Sequence, residues 1–557
     1  MKVFNTTAVC IPSKHYMVDL SDRIREIRKL VDAGKYFTIN RARQYGKTTT
    51  IDALCRNLAD QYIVISLDFQ DIGGESFSSE DAFCRAFSRI MLDAAEYESL
   101  EIPEPIHRDF KELAGRPTSD VKMDELFRIF RNWFRCEEKP LILIIDEVDT
   151  AVDNQVFLDF LAQLRSLYLK REKNTRVKTF QSVILSGVAD IKHLRRGIRN
   201  EDQHKVNSPW NTREGNEPYE CSHSYGDCSR DHMAKPYDIA ADFDVDMSLS
   251  EAGIKGMLDE YETDHHTGMN TADMAKEIRA YTNGYPFLVS RICQLIDQEI
   301  CGAKGLADGW TRNGIDEAVK MILAENNTLF QSITGKLTNY PELKASLRSI
   351  LMQGTRLTYN PDQEDIAQME MYGLIRNDHN TVRIANRIFE TRLYNLFLSE
   401  EELKNNVFAR EGELAKNMFV KDGRLDMRRI LERFIVTYTQ VCGPLRERFR
   451  EKDGREQFLL YLKPIINGTG NYYIEAQTRD QTRTDVIVDY LGQQYIIELK
   501  IWRGERYNAE GEKQISNYLD YWNLDIGYML SFNFNKKKKT GVERVQIGDK
   551  TLYEGTV

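Results

Sequence analysis

Apolar positions recur at helical spacing over residues 19–31, alternate as in a strand over 35–40, and return to helical spacing over 51–58. Between that strand and the second helix lies the polar stretch Arg41-Ala-Arg-Gln-Tyr-Gly-Lys-Thr-Thr-Thr50. Two unbroken apolar runs of strand length follow, Leu141-Ile-Leu-Ile-Ile-Asp146-Glu147 and Ser182-Val-Ile-Leu-Ser186-Gly187. Continuous rather than alternating apolarity predicts strands covered on both faces, as in a parallel sheet flanked by helices. Residues 272–302 predict two helices separated at Thr282-Asn-Gly-Tyr-Pro286, with Pro286 suited to a first turn. Residues 341–390 predict helix, loop, helix and two short strands, 372–376 and 381–385, joined by a polar turn at 377–380. Residues 398–450 are highly charged and helical with weak periodicity, which predicts a connector. The remaining chain predicts a helix over 455–462, a strand, a hairpin over 484–500, a helix over 511–519 and a strand over 526–530, an αβββαβ order.

Composition narrows the class. At about 100–200 residues per domain, 557 residues correspond to three to five domains. With 41% hydrophobic and 29% charged residues, collagen-like and largely disordered chains are excluded. No apolar run approaches the roughly 18 residues of a membrane span. The first residues, MKVFNTTAVCIP, lack a long apolar core and predict no signal peptide. Nine cysteines scattered over the chain read as reduced, cytoplasmic thiols. A net charge of −10 argues against a non-specific nucleic-acid coat, although residues 536–539 are four consecutive lysines.

The loop at 41–50 carries the first chemistry. Gly46 allows close backbone approach, and the N–H groups opening the following helix face an anion. Arg43, Gln44, Tyr45, Gly46, Lys47, Thr48 and Thr49 are the candidate nucleotide-binding loop, with Lys47 reaching the β- and γ-phosphates and Thr48 a Mg²⁺ ligand. The full motif has a glycine where this chain has Arg41, so the triplet Gly46-Lys47-Thr48 does not decide the matter alone. The acids ending the first apolar run do. Ligands bind at the carboxyl ends of parallel strands; there Asp146 would bind Mg²⁺ and Glu147 would orient the attacking water. Ser186, ending the next run, either senses the γ-phosphate or caps the following turn.

The hairpin carries the second. A two-residue turn at Leu491-Gly492 sets Tyr490 against Gln493, so opposed positions sum to 983 and Asp485 faces Glu498. Lys500, two residues on, shares the face of Glu498. Opposed carboxylates repel. A divalent metal held by Asp485 and Glu498 would relieve that repulsion, and Lys500 could steady charge building on a phosphate. This is the chemistry of metal-dependent phosphodiester hydrolysis; the alternative is a solvent-facing hairpin with a coincidental pattern.

Two resemblances follow. Residues 10–250 resemble the AAA-ATPase-like group of the P-loop superfamily, whose loop reads R-x-R-[RQ]-[FY]-G-K-[ST], so that Arg41, Arg43 and Tyr45 match where they depart from the general motif. Residues 430–557 resemble the PD-(D/E)XK nuclease superfamily, with Thr484 in the proline position. That resemblance makes Asp485, Glu498 and Lys500 the core, Glu456 an accessory acid and Gln514 a helix residue near the site. The implied organisation is a P-loop ATPase domain over 1–250, a helical lid over 251–335, a winged-helix-like domain over 336–397, a helical connector over 398–440 and a restriction-endonuclease-like domain over 441–557. On the lid, Arg291 either touches nucleotide or forms a surface salt bridge.

Val206-Asn-Ser-Pro-Trp-Asn211 and Ala234-Lys-Pro-Tyr-Asp-Ile239 both resemble the same family segment, which makes the residues between them, about 212–233, an insertion. It contains Cys221, His223, Cys228 and His232, either zinc ligands or part of a polar surface loop; the spacing matches no common zinc module and favours the loop.

The implied function is ATP binding and hydrolysis coupled to a Mg²⁺-dependent nuclease acting on DNA, with Mn²⁺ able to substitute. A homo-oligomer, a cytoplasmic setting and, by fold analogy, a role in bacterial defence or mobile-element control accompany that reading. The alternative is an ATP-driven regulatory or assembly switch whose nuclease-like domain only binds nucleic acid or is inactive.

Overall fold

The computed structural model describes residues 2–97, 100–116, 121–151, 154–188, 240–241, 243–353, 355–402, 406–421, 424–442, 451–466, 470–473, 486–490, 493–501, 512, 515–516, 519–520, 524–533 and 539–557. They form two compact units, Met1–Leu249 and Ser250–Val557. No described helix is long and apolar enough to cross a membrane.

In the first unit, β1 (Val3–Phe4) pairs with β2 (His15–Tyr16), ahead of α1 (Ser21–Asp32). Helix α1 buries Ile24, Ile27 and Val31, the stripe its sequence periodicity predicts. Then come β3 (Tyr36–Asn40), α2 (Lys47–Leu58) and β4 (Ile63–Asp68). Three helices follow, α3 (Glu80–Tyr97), α4 (Glu104–Gly115) and α5 (Met123–Cys136). The unit continues with β5 (Leu141–Asp146), α6 (Gln155–Lys173), β6 (Ser182–Gly187) and β7 (Ala240–Ala241). The sheet order is β4-β5-β6-β3-β7, every pairing parallel.

Alternate residues of each strand enter different cores. Ile65, Leu67, Leu143, Ile145, Val183 and Leu185 face a phenylalanine-rich layer from α3–α6. Phe37, Ile39, Ile142, Ile144 and Ile184 face α1 and α2. Burial on both sides is why these strands read as unbroken apolar runs. The candidate insertion, with Cys221, His223, Cys228 and His232, lies outside the described residues.

The second unit opens with α7 (Glu251–His265), α8 (Thr271–Thr282) and α9 (Pro286–Leu295). Asn283 and Gly284, at φ 49° and 73°, break α8 from α9 where the sequence predicts. A π-helical turn (Ile296–Ile300) leads into the short α10 (Cys301–Lys304) and α11 (Leu306–Gly309), then α12 (Arg312–Ala324). Helices α13 (Thr328–Asn339), α14 (Pro341–Gln353) and α15 (Glu364–Met371), a hairpin of β8 (Ile375–Asp378) and β9 (Thr381–Ile384), and α16 (Arg387–Glu402) have winged-helix order. The first wing strand begins three residues later than 372. Tyr372 caps α15, Gly373 has φ 68°, and Leu374 N–H returns to Met369 C=O, so those residues close the helix.

The segment expected as a connector is helical, but it is part of the C-terminal core. Helix α17 (Val407–Ala415), the tiny pair β10 (Val420–Lys421) and β11 (Arg424–Leu425), and α18 (Met427–Cys442) precede α19 (Glu451–Ile466). Gly412 of α17 approaches α19 so closely that a Cβ would lie 2.1 Å from Tyr461 C=O. Phe434 of α18 packs edge-on to Phe458 of α19. These contacts join residues too far apart in sequence to show as local periodicity.

The strands are β12 (Gly470–Tyr473), β13 (Val486–Tyr490), β14 (Gln493–Ile501), β15 (Ile526–Phe532), β16 (Gly541–Ile547) and β17 (Lys550–Thr556). Their order is β12-β13-β14-β15-β17-β16. β14–β15 and β15–β17 are parallel and the rest antiparallel. The helix expected over 511–519 lies largely outside the described residues, and β16 and β17 are two strands beyond the last one expected.

Candidate functional site

The loop before α2 is shaped by two left-handed residues, Gln44 (φ 57°) and Gly46 (φ 77°), which bracket Tyr45. Such a turn directs successive N–H groups to one side, an anion-binding concavity at a helix N-terminus. Thr48 Oγ1 donates to Asp146 Oδ2 at 2.9 Å, joining the start of α2 to the end of β5. Asp146 Oδ1 accepts the Glu147 N–H at 2.9 Å, and Glu147 itself is left-handed at φ 53°. Lys47 is buried, 5% exposed, and donates from Nζ to the carbonyls of Arg41 (3.1 Å) and Ala42 (3.3 Å). Thr49 Oγ1 accepts the Cys10 N–H at 3.2 Å. Arg41, in the position of the missing glycine, stacks on Phe243 and donates to Val245 C=O at 3.0 Å. It braces the loop through its side chain.

Charge at this sheet edge is crowded. Burial pulls the Lys47 ammonium below the ordinary lysine range, while Glu147, Asp149 and Asp146 hold it up. Burial pushes the Glu147 carboxyl up; Lys47 opposes this, and Asp146, Asp149 and Asp68 add to it. Ser186 is fully buried, and its Oγ has no hydrogen-bond partner among the described residues. Asp149 accepts the Val188 N–H on both carboxylate oxygens at 2.9 Å, and a Cβ on Gly187 would lie 3.0 Å from Asp149 Oδ1. It thereby clamps the ends of β5 and β6 together.

In the second unit the hairpin register runs from Val486↔Ile497 to Tyr490↔Gln493, every pair summing to 983. Asp485, Gln514 and the turn residues 491 and 492 lie outside the described residues. Glu498 is 1% exposed, with Oε1 3.0 Å from Lys500 Nζ. In β15 and β17, Met529 lies opposite Glu498, Ser531 opposite Lys500 and Glu554 opposite Met529, so these positions share one face. Ser531 Oγ is 3.5 Å from Glu554 Oε1. Among the described residues no group of three or more His, Cys, Asp or Glu is placed to hold a metal.

Glu456 is held by an ion pair. Its Oε1 is 2.8 Å from Arg348 Nη2 of α14, which also holds Glu401 of α16 at 2.8 Å. Arg291 pairs with Glu325 at 2.6 Å. A cleft of about 830 Å³ lies between α12 and the sheet, crossed by Lys320 Nζ to Asp489 Oδ1 at 3.1 Å.

Residues 4–192 match the family model of the AAA-like domain, and residues 471–545 that of the PD-(D/E)XK nuclease superfamily. The chain joins an AAA-like domain to a PD-(D/E)XK nuclease domain. No curated protein sequence matches it. Among solved structures it is similar to the Walker-type ATPase PABY2304 of Pyrococcus abyssi, at 12% identity and TM-score 0.43, covering 70% of this chain and 99% of that one. It is similar to Cdc6p from Pyrobaculum aerophilum, at 14% identity and TM-score 0.31, covering 71% and 97%. A third is the Aeropyrum pernix ORC1 protein in complex with DNA, at 12% identity and TM-score 0.27, covering 68% and 93%.

In the AAA-like domain, sequence reasoning missed Asp68 and Asp149. Asp68 ends β4 with no local signature, and only sheet order brings it beside Asp146; Asp149 is local, three residues past Asp146, and could have been read from the acid-rich stretch 146–149. In the PD-(D/E)XK domain it missed Ser531 and Glu554, which reach the Glu498 face through parallel pairings with no local signature.

Proposed function

We propose that the AAA-like domain binds and hydrolyses ATP and that the PD-(D/E)XK domain cleaves phosphodiester bonds, with DNA as substrate and a homo-oligomer as the working form. The observation carrying the first half is the 2.9 Å hydrogen bond between Thr48 Oγ1 and Asp146 Oδ2 beneath the left-handed Gly46 turn. A hydroxyl and a carboxylate are the hard oxygen donors Mg²⁺ takes alongside phosphate oxygens, so the residues fit that ion. Bound Mg²⁺ supplies charge neutralisation on the phosphates. The N–H groups opening α2 bind phosphate oxygens, and Lys47 exchanges its two carbonyl partners for them. Glu147 orients the attacking water and takes its proton; its raised carboxyl pKa moves it toward neutral pH, where a general base works best. Ser186 Oγ donates toward the terminal phosphate.

The second half is supported by the buried Glu498–Lys500 pair and the observed register of the hairpin. Asp485 and Glu498 are the residues that would hold a divalent ion, whose chemistry is activation of water and neutralisation of the scissile phosphate. Lys500 steadies the charge that develops on the phosphate. Glu456 serves as a docking residue for α14 rather than as an accessory acid.

The test is incubation of the full chain with plasmid DNA and Mg²⁺ or Mn²⁺, with and without ATP, beside Lys47→Ala and Asp485→Asn. Loss of ATP turnover only in the first, and loss of all cleavage in the second, is expected. Absence of metal-dependent cleavage on single-stranded or duplex DNA or RNA would leave the ATP-driven switch as the better account.

A further inference from the structure

Three neighbouring strands of the AAA-like domain carry polar residues at their carboxyl ends: Asp68 last on β4, Asp146 last on β5 and Ser186 next to last on β6. Asp68 and Asp146 are direct register partners in the parallel pairing of β4 and β5. Alternation fixes which way the three point. Ile65 and Leu67, Leu143 and Ile145, and Val183 and Leu185 all enter the phenylalanine-rich layer. Asp68, Asp146 and Ser186 each follow one of those residues, so all three lie on the opposite face, the face of α2 and its phosphate loop. The loops leaving β4 and β5 are tied as well, since Thr150 Oγ1 donates to Phe69 C=O at 3.5 Å.

We propose that Asp68 is a positioning residue of the nucleotide site, a second carboxylate that accepts hydrogen bonds from the hydration waters of nucleotide-bound Mg²⁺. This rests on the ATP-site reading above. Mg²⁺ keeps several of its waters and is commonly bound through one or two carboxylates plus phosphates, so a site with a direct acid has use for a second one acting through water. The local fold does not require a charge at Asp68. Its Oδ1 accepts the Gln70 N–H at 2.8 Å as a cap, a task an asparagine oxygen performs equally. Burial disfavours the ionised form of Asp68, the Gln70 N–H favours it, and the neighbouring Asp146 and Asp71 carboxylates disfavour it. An independent pointer to a ligand on this face is Ser186, fully buried, whose Oγ has no hydrogen-bond partner among the described residues.

The experiment measures binding of the non-hydrolysable analogue adenylyl imidodiphosphate to the full chain in EDTA and along a Mg²⁺ titration, with melting temperatures recorded in parallel. Asp68→Asn and Asp68→Ser both retain a cap acceptor and remove the charge. Each should bind the analogue in EDTA at least as tightly as wild type and keep its melting temperature. Each should need roughly 10–100-fold more Mg²⁺ to reach the tightened affinity, the usual effect of losing a group that holds a metal's surroundings. Mg²⁺ titrations superimposable on wild type would overturn the proposal. So would loss of folding in both cap-preserving variants, which would assign Asp68 a structural task. Lys47→Ala separates the two levels. If it binds the analogue in EDTA as tightly as wild type, or if wild type binds none, the ATP-site reading fails and Asp68 with it. If Lys47→Ala loses binding while the Asp68 variants titrate normally, only the Asp68 assignment fails.

Discussion

Arg348 of α14 holds Glu456 of α19 at 2.8 Å while also holding Glu401 of α16 at 2.8 Å. One guanidinium thus fastens three helices. All three side chains are partly shielded, from 18% to 25% exposed, which makes the pairs stronger than open surface bridges. Glu456→Gln should lower the stability of the second unit by about 1–2 kcal/mol and change the rate of metal-dependent cleavage less than threefold. Denaturation curves and a cleavage assay decide it. A loss of cleavage as complete as that of Asp485→Asn, with stability unchanged, would return Glu456 to the accessory-acid role.

The nucleotide site makes a split prediction. Lys47→Ala removes the cation that exchanges backbone carbonyls for phosphates, and nucleotide affinity should fall at least tenfold. Glu147→Gln should bind nucleotide as wild type does and lose about two orders of magnitude or more in phosphate release, the contribution of a positioned general base. Equilibrium binding and steady-state turnover measured on the same preparations check both; unchanged turnover in either contradicts the assignment.

Glu147 also predicts a pH dependence. Burial holds its carboxyl pKa in the folded chain above the ordinary 4.5. A group whose folded pKa is raised contributes its stability below the unfolded pKa and loses it as pH rises through the folded value. Wild type therefore carries a penalty at neutral pH that Glu147→Gln removes. The variant should be more stable than wild type at pH 7, by up to about 1 kcal/mol, and the gap should close as pH falls to about 4. Denaturant titrations without nucleotide at the two pH values test this, and an equal gap at both would refute it.

Lys500 balances a carboxylate that is 1% exposed. Removing one member of such a pair leaves the other charge buried, at a cost of roughly 3 kcal/mol. Lys500→Ala should therefore melt earlier than wild type in EDTA and abolish cleavage. Mn²⁺ should restore more stability to it than to wild type, since a divalent ion replaces the missing positive charge beside Glu498. Equal Mn²⁺ shifts in the two proteins would argue against a metal there.

The sequence makes legible whatever is encoded within a few residues of itself. The Gly46 turn, the acids ending β5 and the break at Asn283-Gly284 are local, and all appear where the pattern places them. The hairpin register follows from a two-residue turn, and the observed pairs obey it. What stayed hidden depends on distant partners. Arg41 fits the loop pattern of the family it resembles, but the task of its side chain shows only once Phe243 and Val245 are brought beside it. Glu456 gives no local sign of the ion pair to Arg348 that α14 supplies. Tyr372 and Leu374 alternate as a strand would, yet Gly373 turns them into a helix ending.

Strand β14 pairs with β13 over residues 493–497 and with β15 over 497–501, so Glu498 and Lys500 lie where β14 is fastened to its parallel neighbour β15. A strand inside a sheet, with neighbours in register, exchanges its amide hydrogens mainly through large openings of the unit. The two charged side chains therefore ride on a strand that leaves its place only when the β14–β15 pairing opens. Control over them must act at the approach: on what is admitted to that face, for how long, and in what orientation.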